Sequence, residues 1–270
     1  ELCARLDLPV PPTSVARDRD ELRAAVAELP EYVARPAFSR GGMAYLTNHG
    51  PRARDATIDD CEPTAENPWL VQPYLDGDDA CSYSVAHDGR IVLHCVYEPT
   101  IAATGGWSIQ FQAIDDFGTL EYARRVAGAV GYTGSLGFDY RRTAEGVVMI
   151  ECNPRSSAGA FFVPPERLGA ALLSPPEGLW LAPAGERRQY DAYLLDPHIA
   201  TGSPGEIVRN LLSTPDAFFD PGDVLPALFF LLGRRHWHRA ARREHITVGE
   251  AFVADMSWNG EPMPDLLESS

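Results

Sequence analysis

No lysine occurs in this chain: all 23 basic residues are arginine. That absence excludes Schiff-base chemistry and a lysine phosphate clamp within these 270 residues. A compositional bias toward arginine accounts for it more simply than any function does. Cysteine is scarce and odd in number. Cys3, Cys61, Cys81, Cys95 and Cys152 are widely spaced with no CxxC pair, which reads as reduced thiols of a cytoplasmic protein rather than a disulfide frame or a zinc site. Long apolar runs are missing too. The most apolar stretch, residues 225–232, falls far short of the ~20 residues that a membrane helix needs, and no secretory signal pattern is visible. Positive charge is in the minority: the net charge of -15 argues against nucleic acid as a partner. Phosphates would have to be held locally, by a few arginines or by a metal ion.

What is present suits a globular protein with one large or two modest domains, 45% hydrophobic and 23% charged. The chain begins with Glu1 and runs at once into a helix-like pattern, as a piece of a longer protein would. Pro11, Pro12 and Thr13 precede a predicted helix over 14–29, with Leu22, Val26 and Leu29 at helical spacing. A short β run, EYVARPAF, leads into the small, flexible SRGG, and 55–68 is polar and loop-like. WLVQPYL reads as a strand followed by a GDD turn. CSYSVAHDGRIVLHCVYEP alternates around a turn at 87–89, the pattern of a hairpin. GTLEYARRVAGAVGY predicts a helix with Leu120, Ala123, Val126, Ala127 and Val130 inside. LGFDYRR, the turn TAEG and VVMIECN predict a second hairpin, and beyond Pro164 short helical pieces alternate with prolines. The fold class is α+β.

The second hairpin carries the chemistry. Alternation along a strand places Glu151, Asn153 and Arg155 on one face: an anion, an amide oxygen and a cation. Asp139 lies twelve residues before Glu151 on the partner strand. Facing each other they have an index sum of 290, which a three- or five-residue loop centred on Glu145 provides. A two-residue loop would put them out of register. Two adjacent carboxylates repel each other, and one takes up a proton unless a cation intervenes. Mg²⁺ prefers oxygen ligands and is commonly held by one or two carboxylates together with substrate phosphates. Arg155, permanently charged, would stand against a transferring phosphoryl group. The plain alternative is a surface hairpin with a solvated charged face. The apolar VVMI leading in and the small SSAG leading out argue against it.

At these residues the sequence resembles the ATP-grasp superfamily, in which a nucleotide lies between two α+β lobes. GFDYRRTAEGVVMIECNPR is similar to the family's acidic residue followed by E-x-N on the next strand. The resemblance implies Asp139, Glu151 and Asn153 as ligands of Mg²⁺ (Mn²⁺ being the alternative), with Arg155 at the phosphorylated intermediate. YVARPAFSRGG resembles the strand and loop over the triphosphate, implying nucleotide contacts from Arg35, Ser39, Arg40, Gly41 and Gly42, with Arg35 where the family usually has lysine. WLVQPYLDGDD resembles the interlobe strand, which implies backbone contacts to adenine around Val71, a contact to its amino group from Gln72, and ribose hydroxyls on Asp79. The implied domains are a first lobe over 1–70, a second over 71–164 and a helical extension over 165–270. An N-terminal lobe preceding them is absent from this sequence. Among the superfamily's branches the chain looks most like the carbamoyl-phosphate-synthetase-like bacterial members, to which DMSWNG near the C-terminus adds a further likeness.

The function this implies is an ATP- and Mg²⁺-dependent ligase. Arg35 and Arg155 are its catalytic residues, and its partners are ATP, a small carboxylate and a nucleophile such as an amine, with an oligomer or a partner chain compatible. The other classes are a non-catalytic nucleotide-binding module and a kinase-like phosphoryl transferase. GRRHWHRAARREH, 233–245, reads first as a solvated basic helix and second as a docking site for something acidic. Its histidines, His236, His238 and His245, lack metal spacing. Trp107 in TGGWS would line an acceptor pocket. Ser156 and Ser157 would donate hydroxyl bonds to substrate, since no His–Asp pairing accompanies them for nucleophilic attack.

Overall fold

The computed structural model describes residues 2–39, 44–50, 52–102, 108–174, 177–196, 200–246, 248 and 251. In chain order its elements are α1 Leu2–Arg5, β1 Ser14–Ala16, α2 Arg19–Ala27, β2 Tyr32–Pro36, β3 Leu46–Thr47, β4 Trp69–Pro73, β5 Asp78–His87, β6 Arg90–Ala102, β7 Ser108–Ile114, α3 Thr119–Val130, β8 Gly134–Thr143 and β9 Gly146–Asn153. There follow a 3₁₀ turn Ala158–Phe162, then α4 Pro165–Leu173, β10 Trp180–Leu181, β11 Arg187–Gln189, α5 Asp191–Leu194, α6 Pro204–Ser213 and α7 Leu225–Glu244. Two compact units emerge: residues 1–11 with 75–227, and residues 12–74 with 228–270.

The second of these units is a four-stranded sheet in the order β1-β4-β2-β3, with Ala16, Leu22, Val26, Ala34, Leu46, Cys61, Trp69 and Val71 in its core. The expected helix over 14–29 is shorter. Its first residues form β1, which pairs with β4, and the helix starts only after Asp18, whose side chain accepts from the backbone N–H groups of Asp20 and Glu21. Aspartate in that capping position satisfies donors that a helix leaves open, so the helix begins there.

The larger unit is a sheet in the order β11-β7-β6-β5-β8-β9, with β10 parallel to β6. Beyond residue 164, then, the chain is not only helical: β10 and β11 complete this sheet. The β5–β6 turn has both central residues left-handed, Asp88 at φ 46° and Gly89 at φ 80°, which matches the twist of a tight hairpin. Each face of the sheet buries its own cluster. On one face Phe138, Tyr140, Leu136 and Met149 meet Tyr122, Ala123, Val126 and Ala127 of α3. The helix stripe therefore turns on Tyr122, whereas Val130, expected inside, is 56% exposed at the C-terminal end. On the other face Tyr83, Val85, Leu93, Tyr97 and Phe111 lie beneath Phe162, Val163 and Ala171.

A polar relay, buried at Ser84, His94 and Thr119, fastens α3 to the sheet. Ser84 Oγ lies 2.8 Å from His94 Nδ1, His94 Nε2 lies 3.0 Å from Thr119 Oγ1, and Thr119 Oγ1 donates to Asp116 Oδ1 at 2.6 Å. Asp116 also accepts from the backbone N–H of Thr119 and of Leu120. Burial raises the Asp116 pKa, but the bonds from His94 and Thr119 outweigh it and hold the carboxyl well below the usual range. A lowered folded pKa means stability that is present above the ordinary value of 3.8 and lost as pH falls toward the folded one. Asp116→Asn should be less stable than the wild type to urea at neutral pH. The gap should narrow as pH falls below about 4; a gap independent of pH would show that the charge of Asp116 contributes nothing.

Candidate functional site

The loop of the second hairpin has two residues, Ala144 and Glu145, between the paired Thr143 and Gly146. Carried along the strands, that register would leave Asp139 facing Ile150. A β-bulge intervenes: Tyr140 pairs with Met149, and the next rung pairs Asp139 with Glu151, leaving Ile150 as the extra residue. The bulge moves the register by one, and the two carboxylates face each other on adjacent strands. The expected confrontation is present, reached by a different route from the longer loop.

Asn153 Nδ2 donates to Asp139 Oδ2 at 3.3 Å, and Arg155 Nη2 donates to Asn153 Oδ1 at 3.1 Å. The backbone N–H of Arg155 donates to the carbonyl of Asn153, curling the chain out of the strand. Asp139, Glu151, Asn153 and Arg155 thus form one connected group. Burial first, and then the facing Glu151, push the Asp139 carboxyl up to about 6, against the opposing pull of Cys81 and Arg155.

Sequence reasoning missed the floor of this site. Cys81 of β5 stands opposite Asp139 on one side and Tyr97 on the other. Burial and Asp139 push the Cys81 thiol well above its ordinary value, so it presents a proton to the carboxylate rather than a thiolate. Tyr97 Oη donates to Ser157 Oγ at 3.1 Å. Ser156 Oγ lies 3.4 Å from Ser135 Oγ, itself 2.9 Å from Tyr83 Oη. The SSAG loop is fastened to the same face by hydroxyls. The signal for Cys81 and Tyr97 was available in the two-residue alternation of the first hairpin, but the pairing of β5 with β8 was not.

Asp79 also belongs to this unit, with Arg141 Nη1 3.2 Å from its Oδ1. The remaining expected nucleotide contacts lie in the smaller unit. Arg35 is on β2, partly buried, opposite Leu70. Ser39 Oγ donates to the carbonyl of Pro36. Gln72 Nε2 donates to Thr13 Oγ1 at 2.8 Å. Val71 has its side chain in the core, and β4 is paired on both edges, with Ser14 and Ala34 as the partners of Val71. Arg40, Gly41, Gly42 and Trp107, like the DMSWNG segment, lie outside the described residues.

The chain is similar to known ligases. Over 167 residues it is 30% identical to the arginine-specific large chain of carbamoyl phosphate synthase from Geobacillus stearothermophilus, covering 58% of this chain and 16% of that one. It resembles the ADP complex of N5-carboxyaminoimidazole ribonucleotide synthetase with a TM-score of 0.53 at 14% identity, covering 69% of this chain and 52% of that one. It likewise resembles phosphoribosylamine–glycine ligase from Thermotoga maritima, with a TM-score of 0.52 at 13% identity, covering 69% and 55%. The fold is ATP-grasp. No family model matches the chain, which spans about half the length of these ATP-grasp structures.

Among the described residues no group of three or more His, Cys, Asp or Glu side chains is placed to share a metal. The donor set is two carboxylates and an amide oxygen, which suits a hard, oxygen-seeking divalent cation rather than zinc. Asp139→Asn should raise the melting temperature of the metal-free protein by relieving the carboxylate pair. Millimolar Mg²⁺ should raise that of the wild type and leave the variant unmoved. Equal Mg²⁺ responses measured by scanning fluorimetry would rule out Asp139 as a ligand.

Proposed function

We infer that this chain is the nucleotide- and metal-binding part of an ATP-dependent ligase that activates a carboxylate for attack by an amine or similar nucleophile. The observation that carries this reading is the bulge-set confrontation of Asp139 with Glu151, completed by Asn153 and followed by Arg155. A plain surface strand has no use for two facing acids whose repulsion raises the pKa of one.

Asp139, Glu151 and Asn153 would hold Mg²⁺, which when bound supplies positive charge against the β- and γ-phosphates of ATP. The substrate carboxylate oxygen attacks the γ-phosphorus, the bond from that phosphorus to the β-phosphate oxygen breaks, and ADP leaves. The nucleophile then adds to the acyl carbon of the acyl phosphate, the carbon–oxygen bond to phosphate breaks, and the amine gives up a proton. Asp139 and Glu151 supply the negative face, Cys81 fixes Asp139 from below, and Arg155 lies next in line to meet the charge on the transferred group. Arg35 keeps the positive charge of the family's lysine and adds a planar fork. This is catalysis by placement and electrostatics, with no covalent enzyme intermediate. Asp79 would accept the ribose hydroxyls, and Ser156 and Ser157 would border the acceptor.

A non-catalytic binding module is favoured by one observation, the arginine at position 35. It would bind ATP without releasing ADP, and a kinase-like transferase would release an acyl phosphate that hydroxylamine traps. Glu151→Gln should lower Mg²⁺-dependent ADP formation by on the order of a hundredfold or more, as loss of one transition-state contact does. Its circular dichroism should be unchanged. Undiminished turnover in that variant would remove the site assignment.

A further inference from the structure

Arg141 was not among the residues singled out from the sequence, yet it lies on the site's own face, two residues along β8 from Asp139. Its strand partner is Asp79, as the partner of Asp139 is Cys81. The Asp79–Arg141 rung therefore sits one pleat repeat, about 7 Å, from the carboxylate pair.

Arg141 Nη1 does two things at once: it lies 3.2 Å from Asp79 Oδ1 and donates at 3.0 Å to the carbonyl of Gly77. Gly77 itself lies directly on β8, at φ 151°, where a Cβ would come within 2.3 Å of the Arg142 carbonyl oxygen. One rung away Arg142 meets Glu98 at 2.8 Å and Asp78 at 3.7 Å. The turn before β5 is fastened by a glycine without room for a side chain and by two neighbouring arginines. It is also where the chain returns to this unit, the segment 12–74 of the other unit ending at Tyr74 and the segment 75–227 of this one beginning at Leu75.

We propose that Arg141 is a positioning residue for the sugar of the nucleotide: it clamps the entry turn and orients Asp79 so that its carboxylate accepts the ribose hydroxyls. This rests on the nucleotide reading above. Arg141 is 23% exposed and Asp79 51%, so the guanidinium is the covered partner and the carboxylate the one presented. A carboxylate has about four acceptor positions, and Arg141 engages one oxygen. A simple exposed ion pair contributes little. One that also holds a backbone carbonyl fixes a direction.

The test compares Mg²⁺-ATP with Mg²⁺-2′,3′-dideoxy-ATP by calorimetry. The wild type should prefer ATP by on the order of tenfold, what one hydrogen bond to a charged group contributes. Arg141→Met should bring that ratio toward one while its affinity for the dideoxy nucleotide holds. Asp79→Asn should do the same, and the double variant should lose nothing further. Arg141→Lys, which lacks the fork, should fall between, and it reads the same ratio should Arg141→Met fail to fold. A merely structural role would weaken both nucleotides equally and leave the ratio intact, which overturns the inference. Equal binding of both nucleotides by the wild type overturns it as well while leaving the ligase reading in place. No binding of either by the wild type removes that reading and this one with it.

Discussion

Two carboxylates held face to face by a strand register are the constraint around which the larger unit is arranged. Asp139 and Glu151 meet because Ile150 is bulged out, and everything next to them answers the charge this creates. Cys81 offers a proton from beneath, Asn153 an amide from the side, and Arg155 a cation beyond it. These partners reduce the conflict without removing it, since burial and Glu151 still hold Asp139 up at about 6. The larger sheet thus keeps an unresolved repulsion between its edge strand β9 and the neighbouring β8.

Arginine as the only basic residue shapes how the rest of the charge is handled. Its planar fork engages a carboxylate and a carbonyl together, which an ammonium does with less directional definition. Arg141 meets both Asp79 and the Gly77 carbonyl through Nη1, and Arg142 lies over the Phe117 ring while pairing with Glu98. In a chain of net charge -15, such two-handed contacts let few cations organise many anions.

Much of this was legible in the sequence. Both hairpins, α3 and the run Asp139–Glu151–Asn153–Arg155 were readable from alternation and turn chemistry, because those are local signals. Asp18 shows the limit: the predicted helix reached back to residue 14, and it is the pairing of Val15 and Ala16 with β4 that leaves the helix to start after Asp18. The bulge at Ile150 was not legible. An isoleucine that leaves the ladder looks the same in sequence as one that stays, and the two-residue loop that makes a bulge necessary competes with longer ones on equal terms. Cys81, Tyr97 and Arg141 were hidden for a related reason. They reach the site through the pairing of β5 with β8, across more than fifty residues, and nothing local announces a partner strand.

The site and the core share one face of the sheet, and this gives the site its rigidity. Along β5 that face runs from Asp79 and Cys81 at the polar end to Tyr83 and Val85 at the buried end, and along β6 from Tyr97 to Leu93. Where the two ends meet, the SSAG loop returns over the strands. Gly159 lies so close that a Cβ there would stand 2.4 Å from that of Tyr83, and Tyr97 and Ser135 hold Ser157 and Ser156 by their hydroxyls. Tyr97 therefore has its ring in the core and its hydroxyl at the loop. Sites built on packed strands hold their geometry better than sites on loops, and here the loop itself is tied to the strand that supports Asp139. Movement of the residues beyond Arg155 would have to disturb the packing of Tyr83 and Tyr97. The SSAG segment is thus held at a set distance from the carboxylates by the hydrophobic core.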